Sequence, residues 1–238
     1  MTSRSIWGSD QKRRSHRFSS GPCVNHIPLN TQALLRKGLS FYTILIYHII
    51  TMSVVNFIYS GIYDQILSEL SNNFDEKQSG KIKDWMTLLS DKWLEYEQKV
   101  IEGLKKYPPF KFEYDQVNCY LVSNLPYTGF SDPLTIKIRE NVDLDLVIAT
   151  LIHELVHISI EKDEANLISK VEQIFPEVTE KKILLHIVVN FIEYQIIKEL
   201  FNKETFDKIM NRELLLKGIR PAWDIVLADE EKLMSLFT

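Results

Sequence analysis

Two histidines and a glutamate in the run His153-Glu154-Leu155-Val156-His157 have the types and spacing that metal chemistry requires. In a helix, His153 and His157 lie one turn apart on the same face, so that both imidazoles can reach one ion. Glu154 lies beside them and could take a proton from water activated by that ion. The run therefore predicts a metal site with a general base next to it.

The residues around this run are almost all apolar. Residues 146–152 are mostly apolar, and Leu155, Val156 and Ile158 continue the pattern. We expect a helix that is apolar on nearly every side to be buried, where ionisable groups without a partner are costly. A metal ion would supply that partner. The alternative interpretation is that both histidines are neutral core residues held by hydrogen bonds.

The distribution of the other histidines points to a third ligand. Residues 52–238 hold only three of the six histidines, because His16, His26 and His48 come before Met52. Apart from the pair at 153 and 157, only His186 remains in this part of the chain. We therefore expect His186 to complete the metal site.

His186 falls in the apolar run 183–197, which predicts a second buried helix that begins after an N-cap at Thr179. At helical spacing, His186, Asn190 and Glu193 form one polar stripe on this otherwise apolar helix. We expect the stripe to face the helix that carries His153 and His157.

The His-Glu-Leu-Val-His run resembles the HExxH signature of the zincin metallopeptidases, and in particular the gluzincin-like kind whose third ligand comes from a separate downstream helix. The resemblance implies a Zn²⁺ ion held by His153, His157 and a residue of the second helix, with Glu154 as the catalytic base. His186, with Asn190 bracing the site four residues later, fits that arrangement. The usual ligand there is glutamate, so Glu193 is the alternative third ligand.

Other third ligands fit less well. Asp163 has the spacing of the metzincin pattern, but that pattern needs glycine at position 160, where this chain has Ile160. Glu161 and Glu164 belong to a charged stretch that predicts a solvated helix end and the start of a helix over 164–175. Cys119 resembles the cysteine ligand of peptide deformylases without their glycine-bearing motif, so we expect a buried, inert thiol.

Charge divides the chain near residue 52. Residues 1–51 carry seven Lys or Arg and one acid, Asp10, which leaves 21 basic and 31 acidic residues, a net charge of −10, in residues 52–238. An acidic body of this kind argues against a nucleic-acid partner. Two cysteines give no disulfide framework.

The N-terminal 51 residues predict a basic, disordered tail that ends in the start of an apolar segment. Residues 39–58 reach the length of roughly 20 residues that spans a bilayer. This segment could be a signal anchor or a buried first helix after a disordered tail, or Met52 within it could be the true start, since the Ser- and Arg-rich sequence before Met52 does not resemble the rest. We favour a tail outside a catalytic domain of residues 52–238 in a cytoplasmic protein, with a membrane anchor through residues 39–58 as the alternative.

Residues 52–238 predict an α+β fold, a mainly helical zincin-like domain with a small antiparallel sheet before the motif helix. Amphipathic spacing predicts helices over 54–73 and 81–106, and alternation or apolar runs predict strands over 110–117, 119–123 and 134–139. In zincins the strand before the motif helix often forms the upper edge of the cleft, where an extended peptide can pair with it. We expect residues 134–139 to form either this edge or a plain half-buried strand.

These observations predict a zinc-dependent peptidase that acts on a peptide or protein substrate. Tyr127, Arg139 and Tyr194 are the candidates for stabilising the oxyanion. Two alternatives stay open. One is a non-catalytic, metal-stabilised domain of the same fold that binds a partner, and the other is a zinc hydrolase that acts on a non-peptide amide.

Overall fold

The computed structural model describes residues 53–70, 76–107 and 115–237. The predicted tail of residues 1–51 lies outside the described residues, together with most of the apolar segment 39–58. Four strands make up the sheet: β1 (Val55–Tyr59), β2 (Val117–Val122), β3 (Gly129–Ser131) and β4 (Leu134–Lys137).

Helices account for most of the described chain. They are α1 (Gly61–Leu70), α2 (Glu76–Lys105), α3 (Leu144–Ile160), α4 (Glu164–Ile174), α5 (Lys181–Leu200), α6 (Lys203–Glu213), α7 (Arg220–Ala228) and α8 (Glu230–Met234). Short 3₁₀ turns follow α3 at Glu161–Asp163 and α8 at Ser235–Phe237. The predicted α+β class is confirmed.

The sheet is mixed, so the predicted antiparallel sheet is wrong. Its strand order is β1-β2-β4-β3, with β1, β2 and β4 parallel and only β3 antiparallel to its neighbour. The reason lies in the connections. The chain between β1 and β2 runs through α1 and α2, and a long helical connection allows the next strand to run in the same direction. The chain reverses between β2 and β3 and again in the short turn between β3 and β4, so β3 alone runs against the other strands.

One predicted helix is wrong, and one of two alternatives for a strand is excluded. Residues 54–73 are predicted to form one helix, but the described part of this range, residues 54–70, contains β1 and then α1, because the first apolar residues pair with β2. The strand of residues 134–137 lies between β2 and β3 and is therefore interior. Of the two alternatives for residues 134–139, the sheet edge is therefore wrong, and the edge on this side of the sheet is β3.

The motif helix α3 begins where the sequence changes from charged to apolar. Asp143 is its N-cap, and its carboxylate accepts a hydrogen bond from the Asp145 backbone N–H at 2.8 Å. Leu151, Ile152 and Leu155 are fully buried, which agrees with a helix that is apolar on nearly all sides. The motif residues are therefore carried by a helix fixed within the core.

Helix α5 lies at the centre of the helical layer, since α2, α3, α4 and α7 all pack against it. Its N-cap is Glu180, so the predicted N-cap at Thr179 is wrong by one residue. Most of α5 is buried, as its apolar sequence predicts. Packing of α3 against α5 brings the two predicted ligand helices together.

None of the helices in the described part of the chain combines the length and apolarity that crossing a bilayer requires. The last residues of the apolar segment 39–58 belong to β1, a strand paired with β2.

Candidate metal centre

The three histidines predicted as ligands lie together. Helix α3 supplies His153 and His157, helix α5 supplies His186, and one ring nitrogen from each lies within 4.8 Å of the others. Their ring centroids are 5.0 to 5.7 Å apart. Among the described residues, no other group of three histidine, cysteine or acidic side chains comes together in this way.

Two of the three rings are held by a hydrogen bond at Nδ1. The Nδ1 atom of His153 lies 2.8 Å from Glu193 Oε2, and that of His186 lies 2.8 Å from the Lys182 carbonyl oxygen. With Nδ1–H donating in each case, Nε2 keeps a free lone pair. Proteins orient metal-binding histidines in the same manner.

Glu193, the alternative third ligand, lies behind His153 and outside the group of ligand atoms. Its side chain is fully buried, and burial raises the pKa of Glu193 while contact with His153 opposes that rise. Burial alone would lower the pKa of His153, but the Glu193 carboxylate raises it to about 9. The Glu193 carboxylate therefore favours a proton on Nδ1 of His153.

The other two imidazoles are held neutral. Burial and the neighbouring histidines lower the pKa of His157 to about 2. Burial, His153 and the Lys182 ammonium lower the pKa of His186 to about 4, despite the opposing hydrogen bond to the Lys182 carbonyl. Neutral imidazoles are the form that binds metal ions, because the ring lone pair must be free.

Asn190 does not brace the site in the predicted way. Its side chain is fully buried on α5, but neither its amide nitrogen nor its amide oxygen has a hydrogen-bond partner among the described residues. The contact that orients a ligand ring comes from Glu193 instead.

Glu154 and the three histidines line one cleft of about 520 Å³. Glu154 is 7% exposed, and burial raises its pKa while the neighbouring His153 opposes the rise. The edge strand β3 passes next to it: a Cβ atom built on Gly129 would lie 3.2 Å from Glu154 Cγ. The absent side chain at Gly129 is what lets the strand and the carboxylate come so close.

Of the three candidates for stabilising the oxyanion, only Tyr127 lines this cleft. Its side chain is 71% exposed at the cleft mouth. Arg139 is exposed beyond the end of β4, and the ring of Tyr194 packs edge-on against Phe206 away from the cleft. The geometry therefore brings one of these three predicted residues to the site.

Glu213, at the end of α6, is a cleft residue that the sequence analysis missed. It is 3% exposed and accepts a hydrogen bond from Arg212 Nε at 3.0 Å, while Arg212 Nη1 donates to the Leu146 carbonyl of α3 at 2.6 Å. Its negative charge contributes to the raised pKa of both His153 and Glu154. No spacing in the sequence links residue 213 to the motif, since only the packing of α6 on α3 brings it there.

The remaining candidates lie outside the group of ligand atoms. Cys119 is a buried free thiol in β2 whose pKa is raised by burial, as expected for an inert cysteine. Glu161 and Asp163 fall in the 3₁₀ turn after α3, and Glu164 begins α4, as the charged stretch predicted.

Comparison of the chain with protein-family models, with curated proteins and with solved structures finds no match. Proposals about its function therefore depend on the residues and distances described above.

Proposed function

We propose that His153, His157 and His186 hold a zinc ion and that the protein is a zinc-dependent peptidase. The observation that carries the proposal is the convergence of three ring nitrogens within 4.8 Å, in the cleft that Glu154 also lines. Three imidazole ligands suit zinc, and a three-ligand site keeps a fourth position open, as catalytic zinc sites do. The residues present therefore fit the ion.

A zinc ion held by His153, His157 and His186 would act as a Lewis acid toward water and the scissile carbonyl. Glu154 accepts the proton of the attacking water and returns it to the leaving amine, which makes it both general base and general acid. Its burial beside β3 keeps the carboxylate in one position and limits the water around it. Hydrogen bonds to Glu193 and to the Lys182 carbonyl fix the orientation of the His153 and His186 rings toward the ion.

The edge strand supports a peptide as the substrate. Within the described part of the chain, β3 pairs with β4 on one side only, and its three residues line the cleft beside Glu154. An extended peptide can add to such an edge through main-chain hydrogen bonds, which bring its carbonyl groups past the catalytic residues. A small amide gains nothing from this edge.

The direct test is Glu154→Gln, compared with Glu161→Gln as a matched control on the exposed turn after α3. Hydrolysis of a peptide library by the zinc-loaded full chain should fall by roughly 10²- to 10⁴-fold in Glu154→Gln, because the general base is lost. Zinc content should stay unchanged, and Glu161→Gln should behave as the unaltered protein.

The same assay separates the alternatives. Absence of any hydrolysis by the zinc-loaded, unaltered protein would favour the metal-stabilised binding module. Cleavage of small amides in preference to peptides would favour the non-peptide hydrolase. Equal activity of Glu154→Gln and the unaltered protein would contradict the role given to Glu154.

A further inference from the structure

Two lysines lie on the rim of the cleft next to the third histidine. Lys182 is in the first turn of α5, one turn before His186, and Lys217 is in the loop that joins α6 to α7. Both side chains are exposed and both line the cleft that contains Glu154. Their ammonium groups can therefore meet a molecule that occupies the cleft.

Neither lysine has an acidic partner among the described residues. In the described ranges, no carboxylate forms a salt bridge with Lys182 or Lys217. The Lys182 side chain reaches the loop that carries Lys217, because a Cβ atom built on Gly218 would lie 3.2 Å from Lys182 Nζ.

The carboxylates in the cleft are buried, whereas the two lysines are exposed. Glu154 and Glu213 are both buried, and Glu213 is already paired with Arg212. The charge presented at this part of the rim is therefore positive, on a chain whose net charge is −4. A local positive field of this kind attracts and orients anionic groups.

We propose that Lys182 and Lys217 form a carboxylate-binding subsite, so that the substrate carries an acidic group next to the bond that is cleaved. The proposal depends on the proposed peptidase function and names its substrate class. The acidic group can be an Asp or Glu side chain or the terminal carboxylate of a peptide, since both offer the same chemistry to two ammonium groups.

The test uses matched peptides that differ in charge alone. Peptides cleaved by the zinc-loaded full chain are made with Glu or Gln at each position around the cleaved bond, and with a free or amidated C-terminus. We expect the acidic form to be preferred in kcat/KM by about fivefold or more at one position, as a charge-assisted contact with substrate gives. A preference confined to the free C-terminus would identify the terminal carboxylate as the group bound.

The variant Lys182→Gln/Lys217→Gln should reduce that preference to about the level of an uncharged contact, a ratio near one. The substitution leaves the Lys182 carbonyl, which accepts the His186 hydrogen bond, in place. Lys182→Arg/Lys217→Arg should keep the preference, because it retains both charges. The exposed Lys170 and Lys181 do not line the cleft, so Lys170→Gln/Lys181→Gln is the matched control and should also keep it.

A second readout does not need hydrolysis. Binding of the same Glu and Gln peptides to the Glu154→Gln protein, measured by calorimetry, should show the same preference and the same loss in the double lysine variant. If no peptide is cleaved but the charge preference in binding is present, the peptidase proposal fails and the carboxylate subsite survives. The subsite is overturned if neither assay shows a preference, or if the preference is unchanged in Lys182→Gln/Lys217→Gln.

Discussion

Glu193 holds His153 from behind, with 2.8 Å between Glu193 Oε2 and His153 Nδ1. Glu193, the alternative zinc ligand predicted from the sequence, thus contacts a histidine of the cluster. The hydrogen bond fixes the ring plane, and a carboxylate partner makes an imidazole a stronger electron donor. The two acidic residues differ in position, because Glu193 lies behind His153 and Glu154 lines the cleft.

The first prediction concerns this carboxylate. Glu193→Gln keeps a hydrogen-bond acceptor of the same size but removes the charge, so zinc affinity should fall by roughly 10- to 100-fold. Competition with a zinc chelator measures the change, and Glu172→Gln, on the exposed side of α4, is the control. Unchanged affinity would contradict the positioning role, and complete loss of zinc would point to Glu193 as a ligand.

The helices α3 and α5 could be predicted from the sequence because the residues that indicate each helix lie close together in the chain. His153, Glu154 and His157 lie within five residues, and the apolar flanks predict burial without knowledge of the fold. His186 followed by elimination, since it is the one remaining histidine after residue 52. The polar stripe of α5 is also correct in spacing, but the spacing could not tell which of its members joins the histidine cluster and which contacts one of its rings.

The second prediction concerns the close approach of β3 to Glu154. A Cβ atom at Gly129 would lie 3.0 Å from the Thr135 carbonyl oxygen and 3.2 Å from Glu154 Cγ. Gly129→Ala should therefore lower the free energy of unfolding by about 1 to 3 kcal/mol through overpacking. It should also reduce hydrolysis by about tenfold or more by displacing the carboxylate. Zinc content should not change, because Gly129 does not contact the ligand nitrogens.

Gly80→Ala is the control for that substitution, because a Cβ atom at Gly80 meets nothing within 4 Å. Since Gly80 lies in α2, alanine there should raise the free energy of unfolding by about 0.5 to 1 kcal/mol and leave hydrolysis unchanged. Denaturant titration and kinetics measure both. Equal activity in Gly129→Ala and Gly80→Ala would contradict the account of the edge strand.

The sheet was harder to predict than the helices because its pairing is not local. Residues 55–59 are apolar enough to suit either a helix or a strand. Their partner strand, β2, comes only after α1 and α2 in the sequence. β3 has only three residues and no repeated alternation, so its role as the sheet edge could not be read from its sequence. Glu213 was missed for the same reason, because tertiary packing alone brings it to the cleft.

The third prediction concerns the N-cap of the motif helix. Burial alone would raise the pKa of Asp143, but hydrogen bonds from Lys208 and from the Asp145 N–H lower it below its ordinary value. Because the pKa of Asp143 is lower in the folded protein, its carboxylate stabilises the fold at pH values above the pKa of Asp143 in the unfolded chain. This stabilisation is lost as the pH falls through the pKa of Asp143 in the folded protein.

Asp143→Ala should therefore lower the free energy of unfolding by about 1 kcal/mol at neutral pH. The difference from the unaltered protein should narrow below about pH 4. Asp143→Asn keeps a capping oxygen without the charge, so it should lose less stability than Asp143→Ala. Its stability should also depend less on pH than that of the unaltered protein. Denaturant titrations at several pH values measure this, and a difference that grows on acidification would contradict the capping assignment.

The zinc content of the full chain tests the central claim most directly. Protein purified without chelators should contain about one zinc ion per chain by elemental analysis. Three histidines would bind the ion and leave its fourth coordination position open. His186→Ala should lose most of it, whereas Glu161→Gln should keep it. Protein that is free of zinc and does not take it up, or a His186→Ala protein with full occupancy, would contradict the account.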